Sequence, residues 1–333
     1  MLARVLISGG ARAGGLESFA ESLQAGFAAL GIPAEVTSPW KICLRLRELR
    51  DPEVLKILST TAVFAAPFAR RALCVAHGFP RADVQGWFRF IAIVASFEIA
   101  SRFSRLVAVS HYAAVHLRAI FNLRVDAVIH NPLHDAFLEP APDNQPRNLI
   151  TFVGRLHPCK GLDRIFPAIR ELLQEHPDLR ACFIGAGELR DALEAMAAKN
   201  PRVEFTGPLP REEVRAHLRR TKLFISACET EALGIAYLEA LSQGCVVAMP
   251  ACGGGLEIAP DAIGSSVWLL PLPLNTNEIL GQLRRALACG RALALPAGFS
   301  ARAAAQSYLD ADAARSTGTA AAICAAPVRE RLS

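Results

Sequence analysis

The amino-acid sequence predicts an α/β protein built from two doubly wound parallel sheets. Three observations carry this prediction. Short apolar, β-branched runs alternate with helix-length segments, a polar stretch with prolines interrupts the alternation once, and the alternation then restarts. With 333 residues, 52% hydrophobic and 20% charged, the chain is long enough to bury two cores of ordinary size. This composition is that of a folded chain, not a disordered one.

The first unit is predicted over residues 1–140. Its opening strand is followed by glycines and by a helix in LESFAESLQAGFAALG. The predicted strands are ARVLIS, AEVTS, ALCVAH, RLVAVS and VDAVIH. The stretch LEPAPDNQPRN that ends this pattern, residues 138–148, has the composition of an interdomain linker.

The second unit is predicted over residues 148–300, with helices over Leu162–Glu175 and Glu188–Ala198. Residues 301–333 are predicted to form a C-terminal helix and a loosely ordered tail. Because ligands of such sheets bind at the carboxyl ends of the strands, we expect the site in a cleft where the two units face each other. The predicted strands of this unit are LITFVGR, RACFIGAG, VEFTG, KLFISA and CVVAMP.

Composition and charge limit the function classes. No stretch reaches the roughly 18 uncharged apolar residues of a membrane span, and the N-terminal run is too short for a signal peptide, so we expect a cytoplasmic protein. The nine cysteines form no Cys-x-x-Cys pair and lack histidines at metal-site spacing, which favours reduced thiols. A net charge of +5 permits contact with phosphates or lipid, but no basic run indicates nucleic-acid binding.

Two glutamates stand out in SACETEALGIAYLEALSQG, residues 226–244, because the rest of the segment is largely apolar. The segment joins two strands, so it is predicted to be a loop and then a helix of about ten residues that ends at Gly244 in a left-handed conformation. Glu231 then lies at the carboxyl end of a strand. Glu239 lies about one and a half turns into the helix.

The start of this helix is suited to a phosphate. The amides of Leu233, Gly234 and Ile235 carry the positive end of the helix dipole. A carboxylate can accept both hydrogen bonds of a vicinal diol, so one acid on either side of a phosphate site matches the hexose and ribose of a nucleotide sugar. The alternative interpretation is that both glutamates belong to a solvated helix face.

Two cations support the first interpretation. In FVGRLHPCKGLDRI, Arg155 and Lys160 follow a strand and precede a helix. A guanidinium and an ammonium at this position can neutralise a diphosphate leaving group. They can also be ordinary surface cations, although basic residues at a helix N-terminus oppose the helix dipole.

The ordered set of motifs resembles the retaining GT-B glycosyltransferases of family 4. The second domain of that family is matched by FVGRLHPCKGLDRI, FIGAGELRDAL, VEFTGPLPREEV and ETEALGIAYLEALSQG, and the first by GGLESFAESLQAGFAALG, VAVSHYAA and VIHNPL. The resemblance implies two Rossmann-like domains and transfer of a hexose-type sugar from a nucleotide diphosphate sugar, most often of uridine. By analogy alone, the acceptor would be a glycan or lipid-linked glycan of lipopolysaccharide or surface polysaccharide synthesis.

The resemblance also assigns roles to residues. Glu231 would contact the donor sugar and Glu239 the ribose, while His77 in VAHGF would stand near the transferred sugar. No cofactor or metal is implied. The catalytic group would be His77, Arg155, Lys160 and Glu231. The donor-binding group would be Gly14, Gly15, Arg155, Lys160, Glu231, Leu233, Gly234, Ile235 and Glu239.

This chain departs from the family pattern at two positions near these motifs. The family usually has Glu-Gly-Phe-Gly where this chain has alanine and leucine at positions 232 and 233, and it has a glycine where Pro132 follows Asn131. A nucleotide-sugar epimerase on the same architecture, and a catalytically silent subunit that binds sugar nucleotides, therefore remain open as alternatives.

Two other motifs are weaker. GGARAGG after the first strand resembles a dinucleotide loop with Glu35 as ribose ligand, but Ala11 replaces the second glycine. Asp310 and Asp312 in LDAD imitate a metal-binding motif of another glycosyltransferase fold. Because they lie in an alanine-rich, helix-prone segment, a solvated helix face is the favoured interpretation.

The segment GWFRFIAIVASFEIASRFSR, residues 86–105, interleaves aromatic side chains with arginines. Such a segment could lie on an anionic membrane surface, which would make the protein peripheral on the inner face of the membrane. The favoured alternative is an ordinary helix packed on the first sheet.

Overall fold

The computed structural model describes residues 2–9, 15–139, 146–289 and 297–317. Two compact units are present. The first comprises Met1–His134 together with Ala297–Ser333, and the second comprises Asp135–Pro296. The chain therefore returns to the first unit near its C-terminal end, whereas the sequence pattern had assigned residues up to 300 to the second.

The first unit contains one parallel sheet of six strands in the order β2-β1-β3-β4-β5-β6. The sequence pattern did not predict β3, which lies in the middle of the sheet and is buried along its whole length. Lys56 interrupts the apolar run of β3, and its buried Nζ donates a hydrogen bond of 2.5 Å to the carbonyl of Asp51. The strands are β1 (Arg4–Ser8), β2 (Ala34–Thr37), β3 (Val54–Ser59), β4 (Ala72–Ala76), β5 (Arg105–Ala108) and β6 (Ala127–Val128).

The helices of this unit follow the predicted alternation. The hydroxyl of Ser38 caps the first amides of one helix and that of Ser110 caps another, as serine commonly does at a helix N-terminus. A 3₁₀ helix over Thr60–Phe68 follows β3. The α-helices are α1 (Gly15–Ala28), α2 (Pro39–Leu44), α3 (Leu46–Arg50), α4 (Ala82–Gln85), α5 (Trp87–Phe103) and α6 (His111–Phe121).

The second unit contains another parallel sheet of six strands, in the order β12-β11-β10-β7-β8-β9. All five predicted strands are present, and the four-residue β12 was not predicted. The strands are β7 (Leu149–Val153), β8 (Arg180–Ile184), β9 (Val203–Gly207), β10 (Thr221–Ile225), β11 (Val246–Pro250) and β12 (Val267–Leu270). The helices are α7 (Leu162–Glu175), α8 (Arg190–Ala197), α9 (Arg211–Arg220), α10 (Ile235–Ser242) and α11 (Thr276–Ala288).

The order of these strands creates a topological switch point between β7 and β10. From β7 the chain proceeds to β8 and β9 on one side, then crosses over and continues from β10 to β11 and β12 on the other. The connections after β7 and β10 therefore leave in opposite directions. In open α/β sheets, ligands bind in the crevice that forms at the carboxyl ends of such strands.

The C-terminal helix α12 (Ala301–Thr317) packs against α1 in the first unit. The contact is close, since a Cβ added at Gly26 would lie 2.1 Å from the carbonyl oxygen of Ala301. Asp312 is buried and accepts a 2.8 Å hydrogen bond from Nε of Arg71, so the prediction of a solvated face is wrong for Asp312. The predicted tail, from residue 318 onward, lies outside the described residues.

None of the helices in the described ranges combines the length and the apolar character that a transmembrane span requires.

Candidate functional site

The switch point of the second unit brings Lys160 and Glu231 together. Lys160 lies on the turn after β7, at the end of a 3₁₀ helix over Pro158–Lys160, and Glu231 lies on the loop after β10. Nζ of Lys160 is 2.5 Å from Oε2 of Glu231. Both side chains are about four-fifths buried, with 19% and 23% of their surface exposed. The pair therefore occupies the crevice predicted by the strand order.

Lys160 is held as a cation. Burial opposes its charge, but the Glu231 carboxylate and the nearby Cys228 sulfur outweigh burial, so the pKa of Lys160 is raised above its ordinary value. A charged ammonium with one carboxylate partner is a point charge already placed at the crevice. An incoming anion could take over part of that contact.

Two arginines, Arg155 and Arg164, lie on either side of Lys160 in the sequence. The side chain of Arg155 is exposed and forms no hydrogen bond or ion pair within the part of the chain that the structure describes. Arg164, on the first turn of α7, forms an ion pair with Glu229 that the sequence did not predict. No local pattern connects Arg164 with Glu229, because the two residues are 65 positions apart in the sequence. Among the described residues, the structure shows no ion pair or hydrogen bond between the Arg155 side chain and Lys160 or Glu231.

The start of α10 has the backbone that the sequence predicted. Gly234 adopts a left-handed φ of +86°, and a Cβ there would lie 2.5 Å from the ring of Tyr237 and 3.2 Å from Cγ of Glu231. Only glycine fits this position. Within the described ranges, the amides of Leu233, Gly234 and Ile235 donate no hydrogen bond, so three N–H groups at a helix N-terminus are free for an acceptor.

Three consecutive glycines after β11 support this loop. The amide of Gly254 donates a 2.9 Å hydrogen bond to the carbonyl of Glu231. A Cβ added at Gly254 would lie 1.8 Å from the carbonyl oxygen of Ala232, and one added at Gly255 would lie 2.7 Å from the Tyr237 ring. A side chain at position 254 or 255 would collide with these neighbours. Glycines are therefore required here for the chain after β11 to pass so close to the loop that carries Glu231.

Glu239 lies on α10. Its side chain is partly exposed, and its neighbours on the helix are mostly buried. Its carboxyl group forms no hydrogen bond or ion pair with the residues that the structure describes. Burial raises the pKa of Glu239 to about 7, opposed in part by the positive charge of Arg211. An unpaired carboxyl group of this kind is poised to accept hydrogen bonds from a ligand.

The raised pKa of Glu239 predicts a pH-dependent cost to stability. The folded protein holds this proton up to about pH 7, whereas the ordinary value is 4.5, so the folded state loses stability as the pH rises between these values. Glu239→Gln removes this titration. Between pH 5 and pH 8, the free energy of unfolding of the variant should therefore rise by about 1–2 kcal/mol relative to that of wild type, after allowance for partial exposure. Urea unfolding at both pH values measures the difference.

The matched control is Glu212→Gln, which changes an exposed glutamate of the neighbouring α9. It should leave the pH dependence as in wild type. Identical pH dependence in wild type and Glu239→Gln would show that Glu239 is solvated and ionised throughout.

The remaining predicted site residues belong to the first unit. Gly15 begins α1 and is exposed, while Gly14 lies outside the described residues. His77 follows β4 and contacts Phe19 edge-on at 4.5 Å between ring centroids. Its Nε2 is buried without a hydrogen-bond partner in the described ranges, and burial lowers the pKa of His77 to about 4. At neutral pH this imidazole is uncharged.

A second polar atom of this unit is in the same situation. Asn131, which follows β6, is buried, and its Oδ1 has no hydrogen-bond partner among the residues the structure describes. Buried polar atoms normally form hydrogen bonds. Nε2 of His77, after β4, and Oδ1 of Asn131, after β6, therefore indicate places where a ligand or water completes the hydrogen bonding.

Two parallel sheets with this strand order and with helices on both faces define the GT-B fold of glycosyltransferases. HepE from Anabaena, solved with UDP and glucose, matches with a TM-score of 0.66 over 93% of this chain and 99% of that one, at 17% identity. WaaG, described as a glycosyltransferase of lipopolysaccharide biosynthesis, matches with a TM-score of 0.65 over 94% of this chain and 95% of that one, at 17% identity. The predicted fold class is confirmed.

The family model described as glycosyl transferases group 1 matches residues 135–296, which make up the second unit. The phosphatidylinositol N-acetylglucosaminyltransferase gpi3 subunit of Schizosaccharomyces pombe is 30% identical over 165 residues, which are 47% of this chain and 36% of that protein. The chain therefore spans about a third of the length of this relative. The predicted resemblance to glycosyltransferases is confirmed for this unit.

Proposed function

We propose that this protein is a retaining glycosyltransferase of family 4. It moves a hexose-type sugar from a nucleotide diphosphate sugar, with UDP the first candidate, to a glycan or lipid-linked acceptor in lipopolysaccharide or surface polysaccharide synthesis. One observation carries the proposal. A buried lysine and glutamate meet beside three free amides at the switch point of a sheet that belongs to a glycosyltransferase family.

The relatives support the finer parts of the proposal. HepE was solved with UDP and glucose, which favours a uridine donor. The name of WaaG points to lipopolysaccharide, and the name of the fission yeast relative points to an acceptor on a lipid. We propose that the reaction takes place in the cytoplasm, at the inner face of the membrane.

Donor binding follows from the charges of the crevice. The amides of residues 233–235 and the ammonium of Lys160 would hold the diphosphate, with Arg155 adding a second charge from solvent. The unpaired carboxyl group of Glu239 would accept hydrogen bonds from the ribose. Glu231 would contact hydroxyl groups of the hexose while it orients Lys160.

The chemistry would be electrostatic. As the sugar carbon leaves the diphosphate, negative charge grows on the phosphate oxygens, which Lys160 and the free amides would contact. These groups cost little reorganisation because the ion pair and the glycine-supported loop hold them in place. The acceptor hydroxyl would attack from the face that the diphosphate leaves, with a phosphate oxygen taking its proton, which gives retention of configuration.

We propose no cofactor and no metal for this reaction, because the cation pair and the helix dipole supply the positive charge that the diphosphate needs. His77, uncharged at neutral pH, would act as a hydrogen-bonding group toward the sugar. Its buried, unpartnered Nε2 supports that role.

A thermal-shift panel of nucleotide sugars tests the proposal. A ligand that binds only the folded state at 100 times its Kd stabilises that state by about 2.7 kcal/mol, so the true donor should raise Tm by several degrees. UDP sugars are expected to do so in wild type and much less in Lys160→Ala. The panel should include GDP sugars, since guanosine is the next candidate base.

Product analysis then separates the alternatives. Transfer to an acceptor with retained anomeric configuration agrees with the proposal. Interconversion of the donor without acceptor would instead identify an epimerase. A donor that binds but is neither hydrolysed nor transferred would identify a silent subunit, and a panel with no Tm shift would contradict donor binding altogether.

A further inference from the structure

Helix α5 presents an apolar face to solvent. Of its 17 residues, only Ser96, Phe97 and Ala100 are buried. Phe88 is 88% exposed and Trp87 is 64% exposed. Six exposed apolar residues recur at helical spacing and form one stripe: Phe88, Ile91, Ala92, Ala95, Ile99 and Phe103. As the favoured prediction has it, the helix packs on β5 and on the 3₁₀ helix over Thr60–Phe68, while the apolar stripe stays exposed.

Neighbouring elements extend this stripe. The 3₁₀ helix over Thr60–Phe68 packs against both α5 and α2. These two elements expose four more large side chains, namely Trp40, Leu44, Phe64 and Phe68. We call the α5 stripe and these four side chains the apolar surface. Exposed apolar groups on three adjoining elements are unusual for a protein surface and typically mark an interaction site.

Basic residues predominate on these elements and on the adjoining helix α3. The acids of α2, α3, the 3₁₀ helix and α5 are Glu48 and Glu98, and each is paired with an arginine, at 2.6 Å to Arg4 and 2.7 Å to Arg102. Four exposed cations of these elements form no ion pair with described residues: Lys41, Arg47, Arg50 and Arg89. Apolar side chains next to unpaired cations are the combination that binds an anionic lipid surface.

We propose that the apolar surface docks the first unit on a lipid bilayer that contains anionic lipids. Its aromatic and aliphatic side chains enter the boundary between headgroups and acyl chains, and the unpaired cations contact lipid phosphates. A second copy of the chain fits this surface less well, because a symmetric pair would place like charges against each other. The proposal does not depend on the transferase activity, although docking would bring the protein to a lipid-linked acceptor.

Vesicle cosedimentation tests the docking surface without any sugar nucleotide. Wild-type protein should pellet with phosphatidylcholine vesicles that contain about 30% phosphatidylglycerol and far less with pure phosphatidylcholine, since each basic residue near an anionic surface contributes roughly a fivefold factor. The double variant Phe88→Glu and Ile91→Glu should lower the partition coefficient at least roughly tenfold. The control Ile263→Glu, at a comparably exposed site of the second unit, should pellet as wild type does.

Tryptophan fluorescence provides a second measurement. The chain has three tryptophans. Trp40 lies on the apolar surface, Trp87 is the exposed first residue of α5, next to Phe88 of that surface, and Trp268 lies on β12 of the second unit. Brominated lipid should quench the wild-type protein on vesicle binding. It should not quench the variant with Trp40→Phe and Trp87→Phe, which retains only Trp268.

Several results would overturn the proposal. Wild-type protein that fails to pellet with anionic vesicles, or a glutamate double variant that pellets equally well, would contradict docking through this surface. Equal binding to pure phosphatidylcholine would contradict the role of the cations. A wild-type dimer that the same double variant converts to monomers, seen by sedimentation velocity without lipid, would assign the surface to a second copy.

Discussion

Replacement of Lys160 by alanine is expected to lower kcat by about two to three orders of magnitude, the loss typical when one group that stabilises developing negative charge is removed. In the structure, Nζ of Lys160 lies 2.5 Å from Oε2 of Glu231, and Cγ of Glu231 would lie 3.2 Å from a Cβ added at Gly234, at the start of α10. In the proposed function, this is where the diphosphate would leave. Steady-state kinetics with the donor identified by the thermal-shift panel measures kcat and KM separately.

The loss should fall mainly on kcat, because the ammonium stabilises charge that develops only as the sugar leaves. Lys160→Arg should recover part of the rate by restoring a cation. Arg155→Ala is expected to change the rate in the same direction. The protein should remain folded in each case, with a modest fall in Tm for Lys160→Ala because Glu231 loses its partner.

The matched control is Arg284→Ala, which breaks the exposed ion pair between Arg284 and Glu175 in the same unit. Exposed pairs contribute little, so this variant should keep the wild-type rate and stability. If Lys160→Ala retains the full rate, the assignment of this crevice as the diphosphate site fails.

Gly254→Ala is expected to disrupt the same site without removing any functional group. The added Cβ would lie 1.8 Å from the carbonyl oxygen of Ala232, far below contact distance, so the backbone that carries Glu231 and the free amides must move. A displacement of about 1 Å in a positioned group can cost roughly a hundredfold in rate. The overpacking should also lower the free energy of unfolding by about 1–3 kcal/mol.

Calorimetric donor binding, kinetics and urea unfolding measure these effects together. The control is Gly281→Ala, since Gly281 lies inside α11 and no atom would be within 4 Å of its added Cβ. There, alanine should stabilise the helix by up to about 1 kcal/mol and leave activity unchanged. Wild-type donor affinity in a destabilised Gly254→Ala would indicate that the loop after β10 does not bind the donor.

The sequence predicted most of the strands because buried parallel strands are short, continuous apolar runs. It missed β3, where Lys56 interrupts the apolar run, and it missed β12. The start and end of the crossover helix were predictable from local signals. Gly234 and Gly244 both adopt a positive φ, as a glycine before and after a short helix can.

Other features of the site could not be predicted. Arg164 and Glu229 are 65 residues apart and form their ion pair only because β7 and β10 are neighbours in the sheet. Asp312 is buried because Arg71 lies opposite it, which no local pattern records. The close contact of the glycines at 253–255 with the loop of Glu231 depends on the position of β11 beside β10.

The sequence by itself determined the alternation of strands and helices, the residue types of the donor site and the backbone of the α10 start, because these depend on local conformational preferences. Only the tertiary structure decided that Lys160 and Glu231 form an ion pair, that the pKa of Glu239 rises to about 7, and that the apolar stripe of α5 is exposed. The physical reason is common to all three. Charge pairing, desolvation and burial depend on neighbours that are distant in the chain, and strand order determines which neighbours those are.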